Sequence, residues 1–157
     1  MKFKYSKLQV LFFLWAGREF GMELKDVREI LKLEKTQPVP LAPSFLNRIM
    51  NARGRVLSIF YLNQFFKINA GPDAAEARVM VLGDNEVQAG IYADSVSRIE
   101  FMEPSCLNPD PGQALQKNVK GFVKGALEIK TCEKKILLLD SGAVIKFLKK
   151  IKFRQKS

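Results

Sequence analysis

The sequence predicts a mainly β fold of two small units, each with about five strands, with short helices and a C-terminal helix. Three observations carry this. Short apolar runs recur between turn residues. The chain repeats itself: Gly21, Val27 and Ile30 return as Gly90, Val96 and Ile99, each 69 positions later (21 to 90, 27 to 96, 30 to 99). The segment "RVLSIFYLNQFF" is answered in the same way by "KKILLLDSGAVI", at an offset near 79 (59 to 138). Sustained helical spacing occurs only near the end, at Val144, Ile145, Leu148 and Ile151.

The elements follow in order. Leu8 to Trp15 is an apolar strand, Ala16 to Glu19 holds a turn glycine, and Phe20 to Leu24 returns, making a β-hairpin. The opening "MKFKYSKLQVLFFLWAG" imitates a signal peptide, but "GREFGMEL" reads as its return strand, so the run is assigned to the fold. Val27, Ile30 and Leu31 have helical spacing, which predicts a short helix or a helix-to-strand transition over Asp26 to Leu33. "TQPVPLAPS" carries three prolines and is extended. Ser44 is placed to cap a short helix over Phe45 to Met50, followed by a strand from Arg55 to Leu62 and a half-turn at "NQFF". After a polar loop at Asn69 to Ala77, "RVMVLGDNEVQAGIYADSVSRI" reads as strand, Asp-Asn turn, strand and a short amphipathic segment that Asp94 can cap. A long loop, Pro104 to Gln116, leads to two strands in "GFVKGALEIKTCEKKILLLD", and Ser141 is placed to cap a final helix over Gly142 to Phe153.

At 157 residues the chain is long enough for one domain with a real core. Its composition, 47% hydrophobic and 27% charged, is that of a folded soluble protein. The formal charge of +10 favours an acidic partner, yet much of it lies at the ends. Lys2, Lys4 and Lys7 open the chain, and Lys146, Lys149, Lys150, Lys152, Arg154 and Lys156 close it. Cys106 and Cys132 form neither a C-x-x-C pair nor a zinc spacing, so free thiols are expected, with a disulfide as the alternative. The sequence contains no histidine. This removes Ser-His and Cys-His nucleophiles, imidazole bases and histidine metal sites. No phosphate-binding glycine loop is present either. The residues predict no catalytic centre, no metal and no cofactor.

The motifs "FGMELKDVREILKL", "PVPLAPSFLNRIMNARGRVLSIFYLNQFF", "VQAGIYADSVSRI", "FVKGALEI" and "ILLLD", in this order, resemble the CheW-like coupling proteins of bacterial chemosensory systems from about Leu8 to Leu148. The resemblance implies two intertwined five-stranded SH3-like β-barrels around a shared core. The first would cover approximately 20–76, the second approximately 77–140 with a strand from 8–15, and 141–157 would be a C-terminal helix and basic tail. It also implies a cytoplasmic adaptor at membrane-associated receptor arrays, joining chemoreceptor tips to the regulatory domain of a histidine kinase. By position, the receptor-binding groove would include Val27 and Glu29 of "DVREI", Arg48, and Arg53 with Gly54 of "NARG". The resemblance assigns no residues to the kinase. This chain departs from the family pattern at Arg48, where glycine is usual, and at Ser58 and Tyr61-Leu62, where Pro and Asp-Leu are common.

Two readings of Arg53 follow. Gly54 permits a turn that projects the guanidinium over an apolar groove, where it can bind oxygens of a partner helix. Alternatively Arg53 makes an internal bridge to Glu29 or another carboxylate. The competing reading of the whole chain is a basic β-barrel that binds nucleic acid through Lys, Arg and exposed aromatics. Against it, Phe60, Phe65 and Phe66 sit in apolar runs that read as core, so no nucleic-acid partner is expected. A weak contact of "FLKKIKF" with an anionic membrane surface is compatible with either reading.

Overall fold

The computed structural model describes residues 7–68, 73–83, 88–112, 116–129 and 134–156. Lys2, Lys4, part of the loop after Ile68, the Asp84-Asn85 turn and Cys132 lie outside the described residues. Among the described residues the strands are β1 (Leu8–Trp15), β2 (Arg18–Glu23), β3 (Glu29–Lys32), β4 (Thr36–Pro38), β5 (Arg48–Ala52), β6 (Arg55–Phe60), β7 (Arg78–Gly83), β8 (Gln88–Ala93), β9 (Ser95–Met102), β10 (Leu107–Asn108), β11 (Val123–Ile129) and β12 (Lys134–Leu139). The helices are α1 (Leu62–Phe65), α2 (Lys117–Lys120) and α3 (Ser141–Lys156).

The strands form two sheets of six, ordered β10-β11-β12-β2-β1-β9 and β4-β5-β6-β8-β7-β3. The sixth strand in each is a short edge, β10 or β4. The two orders correspond strand for strand. Each sheet joins its two halves by one parallel contact at a glycine, Leu138 beside Gly21 and Ile59 beside Gly90. These pairs reproduce the offsets of 69 and near 79 read from the sequence, so the repeat is structural. Neither sheet is a contiguous half of the chain. Strand β3 leaves the first hairpin to pair with β7, with Ile30 opposite Met80, and β9 leaves the second to pair with β1, with Ile99 opposite Leu11. This exchange of edge strands intertwines the two units.

The apolar run of β1 owes its length to this arrangement. Leu11, Phe13 and Trp15 face the main core, while Val10 and Phe12 face a smaller cluster with Leu127, Ile136 and Leu138. With both faces covered, the strand is apolar at nearly every position and not at alternate ones. Burying each aromatic ring contributes about 2–3 kcal/mol. The main core is shared between the sheets: the Trp15 indole donates to the Tyr92 carbonyl at 2.7 Å, and Trp15 meets Phe66 edge-on with ring centres 5.9 Å apart.

Several sequence expectations are corrected. Of the two alternatives for Asp26 to Leu33, the short helix is absent and the helix-to-strand transition holds: a single 3-10 turn at Leu24–Asp26 leads into β3, because the edge of β7 offers a ladder that outweighs helical spacing. Phe45 to Met50 is one 3-10 turn, Ser44–Leu46, without a side-chain cap from Ser44, and the chain then enters β5 between β4 and β6. The segment after Asp94 is the eight-residue strand β9, not a short amphipathic piece. Asp94 therefore caps no helix. Its carboxylate accepts from the Ala16 amide and the Tyr92 hydroxyl, both at 2.7 Å, and so ties the β1–β2 turn to β8. The final helix is present, with Val144 and Leu148 buried, but Asp140 caps it by accepting from the Ala143 amide at 3.1 Å. Ser141 instead donates to Asp26 at 2.6 Å.

Candidate functional site

The hairpin β5–β6 turns on Arg53 and Gly54, whose φ angles are 55° and 85°. A two-residue turn with both angles positive matches the right-handed twist of the strands it joins. Glycine adopts this at no steric cost, whereas an arginine there costs on the order of 1 kcal/mol. Asn51 supports the turn by accepting from the Gly54 amide at 3.0 Å. Arg53 is exposed and makes no ion pair among the described residues.

Beside this turn lies a groove closed by the curl of the sheet. The Glu34 amide, just beyond β3, meets the Met50 sulfur in β5 at 3.2 Å. One depression of about 310 Å³ is lined by Leu31, Lys32, Glu34, Met50, Asn51, Ala52 and Arg53. A neighbouring one of about 410 Å³ shares Glu34, Met50 and Asn51 and extends to Ile49 and Val56. Val56 keeps 69% of its surface exposed on the outer face of β6. The groove thus combines apolar side chains with polar ones: Lys32, Lys35 and Gln37 also line it, Glu34 lies in both depressions, and the Arg53 guanidinium stands at one lip.

Of the residues singled out in the sequence, Arg53 and Gly54 stand at this groove. Glu29, on the edge strand β3, is tied to the start of β6 by an ion pair with Arg55 at 2.5 Å. Arg55 also donates to Gln88 at 2.6 Å, so β3, β6 and β8 are joined at one point. The expected internal pair between Arg53 and Glu29 is therefore corrected: Arg55 holds that carboxylate. Val27 is half-buried against the main core and lines neither depression. Arg48 shares the inward-facing parity of Met50 and Ala52, and donates to the Thr36 hydroxyl at 2.6 Å at the end of the barrel interior. It is half-buried and lines neither depression. Arg55 and Gln88 were missed in the sequence, because only the order β3-β7-β8-β6 brings them to Glu29.

The aromatic residues weighed for stacking on bases are internal. Phe60 and Phe66 are buried, and Phe65 packs in a ring cluster with Phe45, Phe122 and Phe147. Among the described residues Cys106 is a free, half-buried thiol, no cluster of side chains could hold a metal, and no helix is long and apolar enough to cross a membrane.

The family model of the CheW-like domain matches residues 9–148. The chain is 24% identical over 98 residues to the chemotaxis protein CheW of Treponema pallidum, a match covering 60% of this chain and 58% of that relative. It is 26% identical over 121 residues to CheW of Rhizobium meliloti, covering 77% of each. The scaffolding protein TtCheW from Thermoanaerobacter tengcongensis has the same fold, with a TM-score of 0.73 over 85% of this chain and 88% of that one at 22% identity.

Proposed function

From the premise that this chain belongs to the CheW-like family, we propose that it is a non-enzymatic adaptor of a chemosensory array, coupling a chemoreceptor tip to a histidine kinase in the cytoplasm. The observation that carries the receptor contact is Arg53. A bulky charged side chain is held at a positive φ on an exposed two-residue turn, with no ion-pair partner among the described residues, at the lip of a groove with mixed apolar and polar walls. Strain kept at an exposed position without a folding return is typical of a residue retained for contact. A receptor's helical hairpin would lay apolar side chains along Met50, Ile49 and Val56, while Arg53 binds a carboxylate or an end-of-turn carbonyl and sets the register. Glu29 acts indirectly, because its pair with Arg55 braces the strand from which the turn projects. Gly54 makes the turn possible. In this reading Val27 and Arg48 support the unit from within. The relatives named CheW supply the chemotaxis context, and a scaffold has no chemical step to perform.

The test is an NMR titration of the labelled chain with a chemoreceptor tip hairpin, run beside an Arg53→Ala sample and a single-stranded oligonucleotide. Shifts concentrated at Asn51, Arg53 and Val56, weakened in the variant, are the expected result. Silence with the hairpin and salt-sensitive shifts with the oligonucleotide would overturn the adaptor reading in favour of nucleic-acid binding.

A further inference from the structure

A second groove, sharing no lining residue with the first, lies between α2 and α3. It encloses about 460 Å³, and its floor is formed by Phe122, Phe147 and Ala143. Lys117, Lys146 and Lys150 stand around it, all exposed, and no acidic residue lines it. None of these three lysines makes an ion pair among the described residues. Phe147 stacks on Phe60 with ring centres 5.8 Å apart and meets Phe122 edge-on at 5.4 Å, so the floor is continuous with the core.

Folding alone leaves this arrangement unexplained. An apolar floor framed by like charges is kept open by their mutual repulsion and by their hydration. We propose that the groove docks a protein segment that carries one large apolar side chain between acidic residues. The apolar side chain would enter the groove, and the carboxylates would meet Lys117, Lys146 and Lys150 at its edge. The shape favours a protein over a membrane. Binding to a lipid surface requires apolar side chains that protrude beyond the charged ones, so that they reach the acyl region. Here Phe122 is only 8% exposed and Phe147 and Ala143 are half-buried, whereas the three lysines are exposed, so no fully exposed apolar side chain stands beyond the charges. Such a floor receives a side chain and cannot insert one. The groove is separate from the one at Arg53, so this docking stands or falls independently of receptor binding.

The experiment uses the full chain and a short fluorescent peptide with a central Leu-Phe pair flanked on each side by Glu, followed by fluorescence anisotropy. Controls are a peptide with Ser in place of Leu-Phe and vesicles containing phosphatidylglycerol. Two variants probe the site: Lys146→Glu with Lys150→Glu, which reverses exposed charge only, and Ala143→Trp, which fills the groove. Saturable binding of the Leu-Phe peptide, weakened about tenfold or more by each variant and lost with the Ser peptide, is expected. Equal binding of both peptides would reduce the effect to general charge attraction and overturn the proposal. So would vesicle binding without peptide binding, or no saturable binding at all.

Discussion

Glu29 pairs with Arg55 across the strand exchange, at 2.5 Å, and Arg53, two residues earlier on the same hairpin, is left facing outward. One arginine of "RGR" therefore belongs to the fold and the other to the surface. Their roles can be separated by substitution.

Arg53→Gly removes the guanidinium and relieves the positive-φ strain together. Stability measured by urea unfolding is expected to stay unchanged or rise by up to about 1 kcal/mol, since glycine's entropy cost offsets part of the relief. The same variant should lose the receptor-hairpin shifts. A loss of stability well beyond about 1 kcal/mol would show that Arg53 supports the fold instead.

Gly21 and Gly90 occupy equivalent places in the two units but differ in clearance. A Cβ on Gly90 would stand 2.1 Å from Val79 Cγ1, whereas one on Gly21 would stand 2.9 Å from Val10 Cγ1. Gly90→Ala is expected to destabilise by about 3 kcal/mol or more and Gly21→Ala by about 1–2 kcal/mol. Adding Val79→Ala should recover much of the Gly90→Ala loss in a double-mutant cycle, and strict additivity would contradict this origin.

Asp94→Ala leaves the Ala16 amide and the Tyr92 hydroxyl without their acceptor. A loss of about 1–2 kcal/mol is expected, with faster hydrogen exchange at the Ala16 amide. Unchanged exchange there would mean that the turn closes without the carboxylate.

Glu19 supplies a pH dependence. Burial opposes its charged form, but hydrogen bonds from Arg98, Lys134 and Ser97, with the charge of Arg98, outweigh burial and hold its carboxyl below the ordinary value of 4.5. A group whose pKa is lower in the folded state stabilises the fold above its unfolded pKa, and that contribution is lost as pH falls through the folded value. The stability gap between the native chain and Glu19→Gln should therefore be full at neutral pH and shrink on acidification below about 4.5. A gap that is constant from neutral pH into acid would refute the assignment.

How much was legible in the sequence depended on the range of the interactions involved. The repeat was readable at Gly21 and Gly90 and at Ile30 and Ile99 because those residues meet the same demands twice: glycine where a neighbouring valine fills the space, and isoleucine on the exchanged edge strands. The turn at Arg53-Gly54 was readable because glycine's freedom is local. The helix expected at Phe45 to Met50 was misread, and Asp26 to Leu33 was left open between a helix and a helix-to-strand transition, since spacing in such short segments is ambiguous and a distant strand edge decided the outcome. At the groove, Arg53 and Gly54 were found from their motif, whereas Arg55 and Gln88 were not.

The sequence by itself determined the β class, the duplication, the turns at Gly17 and Gly54 and the family, because strand patterning and turn chemistry act over a few residues and persist as motifs. Only the tertiary structure decided which strands were exchanged, which arginine met Glu29, that Arg48 turned inward, and that Phe147 with its lysine neighbours framed a second groove. Those outcomes follow from pairings across tens of residues, where backbone groups and charges find partners that no local pattern names.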